Sequence, residues 1–133
     1  MRALLALGAI AAVVVAQAHA TPTSGTSLRV TYWKKGTDAN ETSTWTLRCP
    51  AGGTLPRPAA ACKRLARGGP TLFAPLRRDI VCTEIYGGPQ KARVVGTVGG
   101  KRIWVTFTRQ NGCHIDRWNR LSPWLLPPGG ITF

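Results

Sequence analysis

Between residues 28 and 49 apolar and polar side chains alternate in two separate stretches. Leu28, Val30 and Tyr32 interleave with Arg29, Thr31 and Trp33, and Trp45, Leu47 and Cys49 interleave with Thr46 and Arg48. A period of two puts one set of side chains on each face of a pleated sheet, so both stretches predict half-buried strands. The polar run Lys35 to Thr44 between them reads as a turn, and Pro50 to Pro58 (PAGGTLPRP) holds too much Pro and Gly for regular structure. From Pro58 to Gly68 the chain is Ala-rich, with Pro at the start and Gly at the end, which predicts a short helix carrying Cys62. Thr71 to Arg78 looks irregular, and Asp79 to Cys82 (DIVC) predicts a short apolar strand. Arg93–Val98 and Lys101–Thr108 flank Gly99–Gly100, the two-residue turn of a hairpin. After Cys113, Ile115, Trp118 and Leu121 recur every three residues, the stripe of a short amphipathic helix. Leu126 to Phe133 (LPPGGITF) reads as a loose tail. Four or five antiparallel strands with one or two short helices make an α+β fold.

Composition adds a compartment. Met1–Arg2, the apolar run Ala3 to Val15 and the small-residue site Ala18-His19-Ala20 follow the order of a secretory signal. The run is about 13 residues, short of the roughly 20 that a spanning helix needs. Residues 1–20 are therefore expected to be a signal peptide, and 21–133 one secreted, extracellular domain with no membrane contact after cleavage. All four cysteines, Cys49, Cys62, Cys82 and Cys113, lie in that domain, and an even number in an exported chain reads as disulfides. Four cysteines allow three connectivities, of which neighbour pairing is the most economical. There is no C-x-x-C, and His114 is the only histidine of the mature chain, so no metal site is expected.

Charge and chemistry narrow the function classes. The formal charge is +13, or +12 once Arg2 is removed, but the basic residues are scattered and form no run of five like charges. Trp33, Trp45, Trp104, Trp118 and Trp124 could stack bases, yet Trp45 and Trp118 sit at inward positions that suit core packing. No nucleic-acid partner is expected. Catalysis fares no better. His114 has no G-x-S-x-G partner, the thiols are paired, and Asp38, Glu41, Asp79, Glu84 and Asp116 show no spacing that singles out a carboxylate pair. The glycine-rich spots lack the lysine and context of a phosphate loop, and Asn40-Glu41-Thr42 is a formal glycosylation sequon of little weight. The chain reads as no enzyme, with no catalytic residues, no cofactor and no metal.

Two stretches resemble a known family. The first is Cys49-Pro50-Ala51-Gly52-Gly53-Thr54-Leu55-Pro56-Arg57-Pro58 leading to Ala61-Cys62 and, past Lys63-Arg64, Leu65. The second is Cys82-Thr83-Glu84-Ile85-Tyr86, followed by Gly100-Lys101-Arg102 and Asn111-Gly112-Cys113. Both are similar to the signature of the subtilisin-inhibitor-like proteins of actinobacteria, over about Leu28 to Trp118. The resemblance implies a five-stranded antiparallel sheet with two short helices and the disulfides Cys49–Cys62 and Cys82–Cys113. It also implies a secreted homodimer that inhibits subtilisin-type serine proteases. Carried over by position, the reactive bond is Glu84–Ile85. Val81, Cys82 and Thr83 then precede Glu84 in the P4 to P2 positions, and Tyr86 follows at P2′.

The departures bear on the target. Leu55 stands where the family usually has His, Thr83 replaces the usual Pro, and Gly87-Gly88-Pro89 is one residue longer than the familiar continuation after Tyr86. Glu84 takes the P1 place where many members present Met or Lys. A carboxylate in an apolar pocket without a partner costs several kcal/mol. The expected partner is therefore a subtilisin-type or acidic-P1-specific serine protease. The alternative is a secreted basic binding domain on the same fold that does not inhibit.

Overall fold

A computed structural model describes residues 13–16, 25–37 and 39–129. Apart from 13–16, the expected signal peptide (1–20) lies outside the described residues, as does 130–133. Among the described residues no helix is long and apolar enough to cross a membrane.

The two alternating stretches form β1 (Ser27–Trp33) and β2 (Thr42–Arg48), paired antiparallel with Leu28 opposite Leu47 and Val30 opposite Trp45. A two-residue strand β3 (Gly52–Gly53) adds to the outer edge of β2. Helix α1 (Pro58–Gly68) has the bounds that its Pro and Gly predict. After a 3-10 turn at Gly69–Phe73 and a long irregular connection come β4 (Lys91–Val98), β5 (Lys101–Phe107) and helix α2 (Gly112–Leu121). The five strands lie in the order β3-β2-β1-β4-β5, all antiparallel, so β1 is central. Gly99 and Gly100 turn β4 into β5 at φ 56° and 80°, the left-handed pair that a tight hairpin needs and that side chains disfavour.

One face of the sheet carries Leu28, Val30, Leu47, Val94, Ile103 and Phe107, and both helices pack on it through Ala61, Cys62, Leu65, Trp118 and Leu121. Each fully buried aliphatic side chain here contributes on the order of 1.5–3 kcal/mol by leaving water. Disulfide Cys49–Cys62 ties β2 to α1, and Cys82–Cys113 ties the long connection to α2. Trp45 and Trp118 point into this layer, and each donates its indole N–H to a carbonyl, of Leu125 and Pro127 respectively.

Three expectations change. Asp79–Cys82 is not a strand: it pairs with none of the five strands of the sheet. The fifth strand comes instead from the Pro- and Gly-rich stretch, where the Thr46 carbonyl accepts from the amides of Thr54 and Leu55. The tail is not loose where it begins: Leu125 and Leu126 are buried, and their amides bond back to the Leu121 carbonyl.

Candidate functional site

The end of β5 feeds a short strut, residues 108–111, that runs straight into α2. Asn111 caps that helix, its side-chain oxygen accepting from the His114 amide at 3.1 Å. The cap sets Cys113 in the first turn, where it bonds Cys82 across a Cα–Cα distance of 5.3 Å. One residue on, the Thr83 carbonyl accepts from the Gly112 amide at 2.9 Å. The approach is so close that a Cβ on Gly112 would run into Thr83 Oγ1. Four residues further, the Gly87 amide donates to the Arg109 carbonyl at 2.7 Å.

Arg109 completes the second anchor. Its side chain is buried, Nε donates to the Gly87 carbonyl at 3.2 Å, and Nη1 donates to Asn119 Oδ1 at 3.3 Å. The guanidinium lies 5.8 Å from the centre of the Trp118 ring. A buried cation needs such a set of acceptors and a π face, because among the described residues it has no carboxylate partner.

Between the two anchors stand Glu84, Ile85 and Tyr86, all exposed, with no hydrogen bond to the rest of the chain among the described residues. Val81 is 94% exposed, Ile85 63% and Tyr86 66%, which is unusual for apolar side chains in one short segment and marks a surface meant to be covered. Upstream, Arg77 grips Asp79 through two hydrogen bonds of 3.0 and 2.7 Å, and that grip holds the Asp79 carboxyl below its usual range. At the base of the segment, burial first and the Arg117 charge second push the His114 imidazole below its ordinary value.

Of the six residues singled out from sequence, Val81 to Tyr86, all are exposed except the half-buried, disulfide-bonded Cys82, and both disulfides pair as the resemblance implies. The anchor made by Arg109 with Gly87 is absent from the sequence reading. Arg109 is one of 18 Lys and Arg, and nothing in its local context marks it for burial. The arrangement offers no nucleophile with a base. It offers a main chain outside any regular element whose amides and carbonyls at Glu84–Tyr86 make no hydrogen bond among the described residues, groups through which a segment can add to the edge of another protein's sheet.

The family model described as "Subtilisin inhibitor-like" matches residues 23–111. Among solved structures the chain is similar to Streptomyces caespitosus sermetstatin, crystallised in complex with Bacillus licheniformis subtilisin. Identity is 26% and the TM-score 0.50, with 77% of this chain and 97% of that chain covered. No curated protein matches.

Proposed function

We propose that this chain, which belongs to the subtilisin inhibitor-like family, a family of inhibitors and not of enzymes, blocks a serine protease by presenting Val81–Tyr86 as a substrate that is not released. The observation that carries the reading is the pair of anchors, Thr83 with Gly112 and Gly87 with Arg109, which flank the Glu84–Ile85 peptide one residue before Glu84 and two residues after Ile85. A free peptide loses conformational entropy on entering a protease cleft, whereas this one has already lost it. The main chain of 81–86 pairs with the enzyme's edge, Glu84 enters the specificity pocket as P1, and Ile85 and Tyr86 lie on the leaving side. If the bond is cut, Cys82 and Thr83 hold one new end and Gly87 the other. The amine stays next to the acyl group, and religation competes with hydrolysis.

Subtilisin-type enzymes are the natural class, since the sermetstatin structure holds subtilisin. Glu84 selects within that class for a protease whose specificity pocket carries a cation, because an apolar pocket would strand the carboxylate. Residues 1–20 would export the protein to where such proteases act.

Incubating the oxidised mature chain with subtilisin-like, trypsin-like and glutamyl-specific proteases tests the reading. Stoichiometric loss of activity with slow scission at Glu84–Ile85 is the expected result. Rapid degradation by every enzyme, or no effect on any, would sink it.

A further inference from the structure

The family likeness ends at residue 111, but the chain runs on through α2 and then doubles back along it. Leu125 and Leu126 are buried, and their amides donate to the Leu121 carbonyl at 2.8 and 3.0 Å, which closes the turn. The sheet holds the returning stretch through Trp45, whose indole N–H donates to the Leu125 carbonyl at 3.1 Å. The helix holds it through Trp118, whose indole N–H donates to the Pro127 carbonyl at 2.9 Å. Two residues later Gly129 meets Arg109, which lies just before α2. Residues 122–129 therefore run antiparallel to α2 and end their described course beside the Gly87 anchor.

A Cβ on Gly129 would run into the Arg109 guanidinium, so the tail backbone is packed directly on the charged group. Arg109 is only 5% exposed. Gly87 and Asn119 accept from its guanidinium, the Trp118 ring lies 5.8 Å away, and Gly129 adds the remaining cover. An arginine side chain has many rotamers in the open, and enclosure leaves it the one in which Nε faces Gly87. Excluding water also strengthens the charged hydrogen bond to that carbonyl.

We propose that residues 122–129 are a positioning clamp on the leaving side of the reactive bond, keeping Arg109 on Gly87 by packing Gly129 against its guanidinium. The inference rests on the reading of Val81–Tyr86 as the bait segment. After scission the Glu84 carbonyl is esterified to the protease's serine, and Ile85 carries the freed amine. Religation re-forms the Glu84–Ile85 amide and returns the serine hydroxyl, whereas hydrolysis consumes a water and leaves a new carboxylate on Glu84. Only Tyr86 separates Ile85 from Gly87, so a fixed Gly87 confines the amine to within roughly 7 Å of it. A Gly87 released by Arg109 lets the amine wander, and its effective concentration at the ester falls.

The test compares the oxidised mature chain with Gly129→Leu, whose side chain has to push the guanidinium off Gly87. Two readouts are followed: the equilibrium ratio of cut to intact chain with a protease that the unaltered chain inhibits, and hydrogen exchange of the Gly87 amide in the free protein. Gly129→Leu should raise the ratio about tenfold or more and speed the exchange by a similar factor. In an Arg109→Ala background it should change either by less than about twofold, because the tail acts through Arg109. Val98→Ala, a core truncation at the far end of β4, should lower the urea midpoint yet leave the ratio within about twofold. Inhibition by the unaltered chain, with ratio and exchange both indifferent to Gly129→Leu, would overturn the clamp alone. A ratio that follows the urea midpoint across all variants would also overturn it, as stability and not position would then be responsible. No inhibition by the unaltered chain, with Gly87 exchange still dependent on Gly129, would sink the bait reading and with it the role of the clamp in religation.

Discussion

The segment Val81–Tyr86 and the outer face of the sheet are both exposed in the single chain, and they are made rigid in opposite ways. The sheet face inherits its shape from a ladder in which every strand is held along its length, so no single outward side chain is needed to keep it. The segment has no ladder. Its order is imported from the strut and α2 through one disulfide, one close backbone contact and one buried arginine. A protease-binding loop has to leave its main chain unpaired so that the enzyme can pair with it, and rigidity must then come from a few side bonds. Function in the segment should therefore be fragile to single changes, while the sheet face should keep its shape through them.

The harshest way to break that contrast is to remove the disulfide. Cys82→Ser with Cys113→Ser should cost about 3–4 kcal/mol in the chain-entropy model for a loop of this length. It should also turn the inhibitor into a substrate, read by urea unfolding and by the rate of scission at Glu84–Ile85. Arg109→Ala comes next. Stranding the Gly87 carbonyl and removing a buried guanidinium should cost roughly 2–3 kcal/mol and speed cleavage. Arg109→Lys should recover little of this, since one ammonium cannot reach Gly87 and Asn119 with the same fork. A cleavage rate unchanged in Arg109→Ala would show that the disulfide alone holds the segment.

Glu84→Met sharpens the comparison without touching any anchor. It should raise affinity for a subtilisin with an apolar pocket by about ten- to a hundredfold, lower it for a glutamyl-specific protease, and leave stability within about 0.5 kcal/mol. If the choice of protease does not move, Glu84 is not the P1 residue.

The smallest effect is in pH. The His114 imidazole is held below its ordinary value by burial and by Arg117, so the unfolded chain takes up a proton more readily than the folded one. Stability is then complete above the unfolded value of about 6.5 and declines as pH falls from there through the folded one. Thermal midpoints between pH 8 and 5 should show a shallow loss that His114→Gln removes.

Strands β1, β2, β4 and β5 and both helices were legible in the sequence because each is encoded locally, by a period of two, a Gly-Gly turn, a Pro–Gly pair or a three-residue stripe. The segment proposed as the bait was singled out through the family motif around Cys82, and the structure shows that it is exposed. What sequence could not supply are the facts that depend on partners distant in the chain. A strand requires a paired neighbour, which Gly52–Gly53 has and Asp79–Cys82 lacks. Arg109 looks like any other cation until the fold brings Gly87, Asn119 and Trp118 around it.

The cations give the sharpest division. As a string they are scattered, and by themselves they predict only a basic, soluble surface. Alternation along each strand already decides that Arg29, Arg48, Arg93 and Arg102 share the polar side. Only the strand order and register decide that Arg48, Arg29, Arg93 and Lys91 line up obliquely across it, because adjacency between strands is set by the tertiary pairing and not by separation in the chain.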